Sequence, residues 1–161
     1  MDVVTMEITE VVTLVNEWGT EPCRVDGRAP RPGPELTTLA DELHPIFVTT
    51  DPATRARLVT GLLRLTGVRP ELSPEQAPTW SVDDPTQSTR AAAALALRHH
   101  LTEHPGRLGL CADDQCADVY VDASPAGKRR FCCLTCQNRA RAAAFRRRKA
   151  QLGETSRDQL R

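Results

Sequence analysis

Residues 107–150 read RLGLCADDQCADVYVDASPAGKRRFCCLTCQNRARAAAFRRRKA, and the cysteines of this segment determine the architecture that we expect for the chain. Four residues separate Cys111 from Cys116. A second group follows, in which Cys132 and Cys133 are adjacent and Cys136 lies three positions beyond Cys133. Two closely spaced cysteine pairs are typical of a structural zinc site, because each short loop holds two sulfurs on one side of a tetrahedral ion. The spacing therefore predicts one structural Zn2+ with four thiolate ligands.

The spacing leaves one ligand open, because both Cys132 and Cys133 lie at a zinc-site separation from Cys136, and the separation of Cys133 is the commoner of the two, so spacing alone favours Cys133. Five of the six cysteines lie within 26 residues, which favours metal binding over a disulfide framework in a reducing compartment. Free buried thiols are the alternative, since an unligated cysteine behaves as a small apolar residue. Four thiolates would close the coordination shell, so the predicted zinc is structural rather than catalytic.

The segment between the two cysteine pairs has the composition of a β-hairpin. Val119, Tyr120 and Val121 are strand formers, residues 124–127 read Ser-Pro-Ala-Gly and predict a turn, and residues 128–131 can return. This hairpin would place the second cysteine pair beside the first.

A strongly basic helix is predicted from Cys136 to about residue 151. Nine basic residues and no acidic residue lie between Lys128 and Lys149. Arginine suits phosphate because its guanidinium makes bidentate contacts and stays charged. A solvated helix that only maintains solubility is the alternative, and docking on an acidic surface is another. The residues that we predict to contact nucleic acid are Lys128, Arg129, Arg130, Arg139, Arg141, Arg146, Arg147, Arg148 and Lys149.

Upstream of the cysteines the chain reads as a small helical domain. Helices are predicted over residues 9–18, with Thr9 as the cap and a strand as the alternative, and over residues 35–47. Asp51-Pro52 and Asp84-Pro85 are cap-plus-proline signals that open helices through about residues 66 and 104. Residues 21–34 are predicted as a loop, and residues 67–84 as a long, poorly ordered connection.

Charge is divided along the chain although the net charge is zero. Residues 1–110 carry 10 basic and 15 acidic residues, whereas residues 111–161 carry 11 basic and 6 acidic residues. This separation predicts an anionic partner, first of all DNA, for the C-terminal part. The N-terminal residues lack the features of a secretory signal, and no apolar run could span a membrane, so we expect a cytoplasmic location.

No enzyme class is indicated by the sequence, which has no phosphate-binding loop and no nucleophile with a base at a recognisable spacing. His100 and His104 lie at i and i+4 on the predicted helix, but no third metal ligand accompanies them. We therefore expect a binding protein rather than an enzyme.

The cysteine segment resembles the CGNR zinc finger of bacterial proteins described as stress-induced transcription regulators. The resemblance covers about residues 107–149 and is carried by residues 119–124 (VYVDAS), 130–132 (RFC) and 136–148 (CQNRARAAAFRRR). It implies that Cys111, Cys116, Cys132 and Cys136 bind the zinc, with Cys133 in a position usually held by serine. Gln137 replaces the glycine of the motif; this change would strain a turn but costs nothing within a helix.

The stretch TLVNEW at residues 13–18 resembles the opening of the helical region, called the ABATE domain, that precedes this finger. The expected organisation is a mainly α protein: a helical domain at 1–106, a β-hairpin-plus-helix finger at 107–152 and a flexible tail at 153–161. The resemblance implies a DNA-binding transcriptional regulator whose helical domain senses a small molecule or mediates homodimerisation. The alternative function is a zinc-stabilised adaptor that binds a protein or RNA through its basic helix.

Overall fold

The computed structural model describes the backbone of residues 1–158 and the side chains of residues 1–152. Within this part of the chain the fold is mainly helical, as the sequence predicted, and it contains two small antiparallel sheets of two strands each. The elements are α1 (Ile8–Trp18), α2 (Thr20–Asp26), α3 (Pro34–Val48), α4 (Pro52–Thr66), β1 (Arg69–Leu72), β2 (Pro78–Ser81), a 3-10 turn (Pro85–Gln87), α5 (Ser88–Glu103), β3 (Leu108–Leu110), β4 (Val119–Val121) and α6 (Leu134–Asp158). No helix in the described residues is long and apolar enough to cross a membrane.

Helices α1, α3, α4 and α5 enclose the hydrophobic core. Its buried side chains come from each of these four helices, because their apolar residues recur at helical spacing. Asp51 caps α4 as predicted, since its carboxylate accepts hydrogen bonds from the backbone N–H groups of Ala53 and Thr54. The largest of the buried side chains are Phe47, Leu43, Ile46, Leu97, Val11 and Val15.

The ends of two predicted helices differ from the sequence assignment. Glu7, not Thr9, caps α1, because Glu7 and Glu10 form a reciprocal capping box in which the Glu7 N–H donates to Glu10 Oε2 at 2.7 Å. The strand alternative for this segment is wrong. After Asp84, a 3-10 turn precedes α5, which begins at Ser88.

Two segments predicted to be irregular contain regular structure. Residues 20–26 form α2, in which Pro22 lies in the first turn, where its missing N–H needs no partner, and Gly27 ends the helix at a φ of 70°. Residues 69–81 form the β1–β2 hairpin, whose Arg69 guanidinium pairs with both carboxylate oxygens of Asp83 at 2.6 Å. Both predictions were wrong because proline and glycine were interpreted as interruptions rather than as helix and hairpin signals.

The first strands of the cysteine segment pack onto the helical domain. Strand β3 pairs with β4 in the register Leu108 opposite Val121 and Leu110 opposite Val119. Leu108 and Val119 are buried in the same hydrophobic cluster as the apolar side chains of α1 and α3. The cysteine segment therefore shares a core with residues 1–106 and is anchored to them.

Asn16 of α1 fixes β4 in this position. Its side-chain N–H group donates to the carbonyl of Val119 at 3.0 Å, and its side-chain oxygen accepts from the N–H of Val119 at 2.8 Å. An amide side chain is complementary to a backbone N–H and C=O pair in this way, so Asn16 acts as an additional strand residue at the free edge of β4.

Replacing Asn16 with alanine is expected to lower the free energy of unfolding by about 2–4 kcal/mol, because both backbone groups of Val119 lose their partners. Urea denaturation followed by far-UV circular dichroism measures this change. Thr13→Ala is the matched control: Thr13 lies on the same helix, and its exposed hydroxyl bonds only to the carbonyl of Thr9. Equal destabilisation by the two substitutions would contradict the role of Asn16.

Helix α6 is longer than predicted. It begins at Leu134 rather than Cys136 and continues to Asp158, past residue 152, where the finger was predicted to end. The rest of the predicted tail, residues 159–161, lies outside the described residues. Gln137 is inside this helix, and its N–H donates to the carbonyl of Cys133 at 3.2 Å. The substitution of the motif glycine therefore requires no left-handed backbone conformation here.

Candidate metal centre and basic surface

Four cysteine sulfurs converge beside the β3–β4 sheet. Cys111 follows β3, Cys116 precedes β4, Cys132 ends the loop that follows β4, and Cys136 lies in the first turn of α6. These four ligand atoms all lie within 4.8 Å of one another, and Cys132 Sγ is 3.6 Å from the Sγ atoms of both Cys116 and Cys136. A tetrahedral zinc with Zn–S bonds of about 2.3 Å separates its sulfurs by about 3.8 Å. The cluster therefore fits one zinc ion.

The geometry distinguishes between the two adjacent cysteines. Cys132 is half-buried, and its N–H donates to Cys111 Sγ at 3.4 Å, whereas Cys133 is exposed. The Cys133 sulfur lies 3.6 Å from Cys136 Sγ but does not belong to the cluster of four. Cys132 therefore completes the ligand set together with Cys111, Cys116 and Cys136.

Burial controls the protonation of the ligands before metal binds. It is the largest cause that raises the pKa of the thiols of Cys116, Cys132 and Cys136 above the usual cysteine value. Without zinc these sulfurs hold their protons near neutral pH, and the zinc must displace them on binding. The apparent zinc affinity therefore rises with pH.

After β4 the chain does not return as the second strand of the predicted hairpin. Side-chain hydrogen bonds hold the returning loop instead. Strand β4 pairs with β3 instead of with residues 128–131. The Asp122 carboxylate accepts hydrogen bonds from the N–H groups of Ser124 and Arg129, each at 2.9 Å, and so closes the loop. One backbone bond, from the Ala112 N–H to the Arg130 carbonyl at 2.8 Å, joins the loop to the first cysteine pair.

Arg129 is used inside this loop. Its guanidinium donates to the carbonyl oxygens of Val121 and Phe131, at 3.1 and 2.8 Å, and to that of Cys132. It also lies over the ring of Tyr120, 5.0 Å from the centroid, while the Tyr120 hydroxyl donates to the Arg129 carbonyl at 2.6 Å. Arg129 thus positions the backbone that presents Cys132, in addition to contributing positive charge.

Arg139 connects the two cysteine pairs. Its Nε lies 2.7 Å from Asp113 Oδ2, one terminal nitrogen lies 3.2 Å from Gln115 Oε1, and the other lies 3.4 Å from Cys136 Sγ. Asp113 is buried, so this ion pair is shielded from solvent on one side. A hydrogen bond from a guanidinium to a ligand sulfur stabilises the thiolate that zinc requires.

Replacing Arg139 with glutamine is expected to weaken zinc binding by about 10- to 100-fold, because the contacts to Cys136 and Asp113 that orient the ligands are lost. Competition with a chromophoric chelator measures the affinity. Arg141→Gln, an exposed residue on the same helix, removes the same charge from the surface and should leave the affinity unchanged. The same loss in both variants would show that net charge, not ligand positioning, is responsible.

An exposed groove lies between the loop at residues 124–131 and α6, and five of the remaining basic side chains line it together with Arg129, Arg139, Asp113 and Asp114. The groove has a volume of about 820 Å³, and Phe131 is part of its wall. Among the described residues, no acidic side chain forms an ion pair with the exposed Lys128, Arg130, Arg141, Arg146 or Arg147. Arg148 and Lys149 are exposed on the same helix outside the groove.

The structure therefore divides the nine basic residues predicted to bind nucleic acid. Arg129 and Arg139 make internal contacts that support the metal centre, whereas the other seven are free of acidic partners in the described part of the chain. The sequence analysis did not identify Asn16, Asp113 or Tyr120 as parts of the site. Only the resemblance of residues 13–18 to a domain opening pointed towards Asn16.

Comparison with known protein families agrees with this geometry. Residues 107–149 match the family model of the CGNR zinc finger. The matched range begins one residue before β3 and includes all four converging cysteines and the basic residues as far as Lys149. No curated protein matches the chain.

Proposed function

We propose that this chain, which carries a CGNR zinc finger at residues 107–149, is a cytoplasmic DNA-binding regulator. The observation that carries the proposal is the exposed basic groove beside α6, in which Lys128 and four arginines (Arg130, Arg141, Arg146 and Arg147) form no ion pair with an acidic side chain of the described residues. Side chains left unpaired in this way can neutralise phosphates without first breaking an internal ion pair. Guanidinium groups also bind phosphate oxygens in a bidentate manner.

The shape of the basic surface suits a duplex. Helix α6 has 25 residues and is therefore about 37 Å long. The major groove of B-DNA accepts an α-helix, and arginine can read guanine edges there. In this proposal the zinc holds the start of α6 against the loop at residues 124–131. Basic side chains of the helix and of the loop then face the same strand of the DNA.

The helical domain supplies regulation in this proposal. A stress-responsive regulator needs an input, which an effector or a second copy of the chain would provide at residues 1–106. We also propose that the protein is not an enzyme, because four thiolates around one zinc leave no coordination position for a substrate.

The second candidate function is a zinc-stabilised adaptor that binds a protein or RNA. Phe145 on α6 favours it, since this side chain is 61% exposed and apolar within a basic helix. An aromatic residue of this kind serves as an anchor at many protein interfaces.

A DNA titration of the full-length, zinc-loaded protein tests the proposal. The protein is titrated against a labelled duplex of about 30 base pairs and mixed sequence, which is longer than α6. The titration is carried out at about 50 and about 200 mM salt. Binding that falls steeply with salt supports the DNA-binding proposal. No binding at either salt concentration would contradict it, and pull-downs with and without nuclease would then separate a protein partner from RNA.

A further inference from the structure

A second cavity, whose lining lies outside the zinc finger at residues 107–149, is found in the helical domain. It has a volume of about 550 Å³ and is formed by the residues that precede and begin α1, by β2 and by one face of α5. This size is within the usual range for pockets that bind small organic molecules. Its apolar wall includes Met6, Ile8, Trp80 and Leu95.

A buried histidine without a partner lines this cavity. His100 is 7% exposed, and its Nε2 has no hydrogen-bond partner in the described part of the chain. Buried polar atoms in native proteins are nearly always paired, so an exception requires an explanation. Burial, followed by the nearby His104 and His99, lowers the pKa of His100, and the imidazole therefore stays neutral near pH 7 with one donor and one acceptor.

The cavity also contains an arginine that forms no ion pair with the described carboxylates. This residue is Arg98, whose guanidinium lies over the ring of Trp80, 5.9 Å from its centroid. Glu7 is the acidic residue of the lining, and its carboxylate already accepts the backbone N–H of Glu10 in the cap of α1. An anion can therefore approach Arg98 from the cavity.

The histidines do not form a metal site. Within residues 1–152, the group of His, Cys, Asp and Glu side chains placed for a metal ion is the four-cysteine cluster. His100 and His104 are close, with ring centroids 5.2 Å apart, but no third ligand joins them. The cavity is thus suited to an organic ligand.

We infer that this cavity binds a small organic acid with a hydrophobic body. The carboxylate pairs with Arg98, and the body lies between Trp80 and the side chains of Met6, Ile8 and Leu95. The neutral imidazole of His100 belongs to the wall beside this body. The inference is independent of DNA binding by the finger, because no residue of the cavity belongs to the finger.

Calorimetric titration of the zinc-loaded full chain tests the inference with 4-phenylbutyrate and its neutral amide as probes. We expect saturable binding of the acid, at least about tenfold tighter than binding of the amide, because a charge-assisted hydrogen bond to Arg98 is worth about one factor of ten or more. Arg98→Gln should remove this preference and leave binding of the amide unchanged. In methyl NMR spectra, the acid should shift the signal of Met6.

Arg57→Gln is the matched control, because Arg57 is exposed on α4 and does not line the cavity. This variant should retain the preference for the acid. Two results would overturn the inference: no saturable binding of the acid up to about 10 mM, far above the affinities of ordinary sites, or equal affinity in the Arg98→Gln and unmodified proteins. Failure of DNA binding by the finger would not affect either result.

Discussion

Replacing Cys132 with serine is expected to reduce bound zinc from one ion per chain to a small fraction and to unfold the finger. The four sulfurs lie within 4.8 Å of one another, so removing one opens the coordination shell. Zinc binding supplies about 10 kcal/mol or more of folding free energy in small zinc modules, which have little core of their own. Elemental analysis of the purified, reduced protein measures the zinc, and circular dichroism measures the loss of structure.

Cys133→Ser is the matched control for this prediction. Cys133 is the neighbouring residue and is exposed, and it lies outside the four-sulfur cluster. This variant should retain one zinc per chain and the thermal stability of the unmodified protein. Loss of zinc from Cys133→Ser together with its retention in Cys132→Ser would reverse the ligand assignment.

The loss of zinc should also weaken the helical domain. Leu108 and Val119 of the finger are buried in the core that α1 and α3 share, and unfolding the finger exposes both positions. We therefore expect removal of the zinc by a chelator to lower the urea concentration at which the whole chain unfolds, including helix α1 of the helical domain. A helical domain with unchanged stability after chelation would show that the two parts fold independently.

The second large effect is expected from replacing Arg146, Arg147 and Arg148 together with alanine. Loss of three phosphate contacts should reduce the slope of log affinity against log salt by about 2.7 and should weaken DNA binding by about 500-fold at 0.1 M salt. Alanine favours helix more than arginine does, so α6 should remain intact. Fluorescence anisotropy at several salt concentrations measures both quantities.

A variant with three arginines replaced elsewhere controls for net charge. Arg24, Arg57 and Arg64 are exposed on α2 and α4, and their replacement with alanine removes the same charge from the helical domain. This control should bind DNA with nearly the original salt slope. A slope that falls equally in both variants, or in neither, would contradict a phosphate-binding role for Arg146, Arg147 and Arg148.

Features that depend on neighbouring residues could be predicted from the sequence. The cap of α4 by Asp51, the apolar stripe of α3 and the helical pattern of α5 are local, and the structure confirms these helices. Residues 20–26 and 69–81 were predicted wrongly, because proline and glycine are compatible with a helix start, a helix end and a hairpin turn as well as with a loop.

The choice between Cys132 and Cys133 shows where local spacing is insufficient. Both separations from Cys136 suit a zinc site. The path of the loop after β4 makes the choice, since Asp122 and Arg129 orient the chain so that Cys132 points towards Cys111 and Cys133 is exposed. Family resemblance indicated Cys132, whereas the spacing of the residues alone favoured Cys133, which lies outside the cluster of four.

The sequence by itself determined the chemistry of this protein: four zinc-binding thiols and a basic helix, because both depend on residue type and short spacing. Only the tertiary structure decided how these groups are used. It assigned Arg129 and Arg139 to the support of the metal centre and joined the finger to the helical core through Asn16 and Val119, which are 103 positions apart. Contacts over such distances depend on how the elements pack together, and no local pattern encodes that packing.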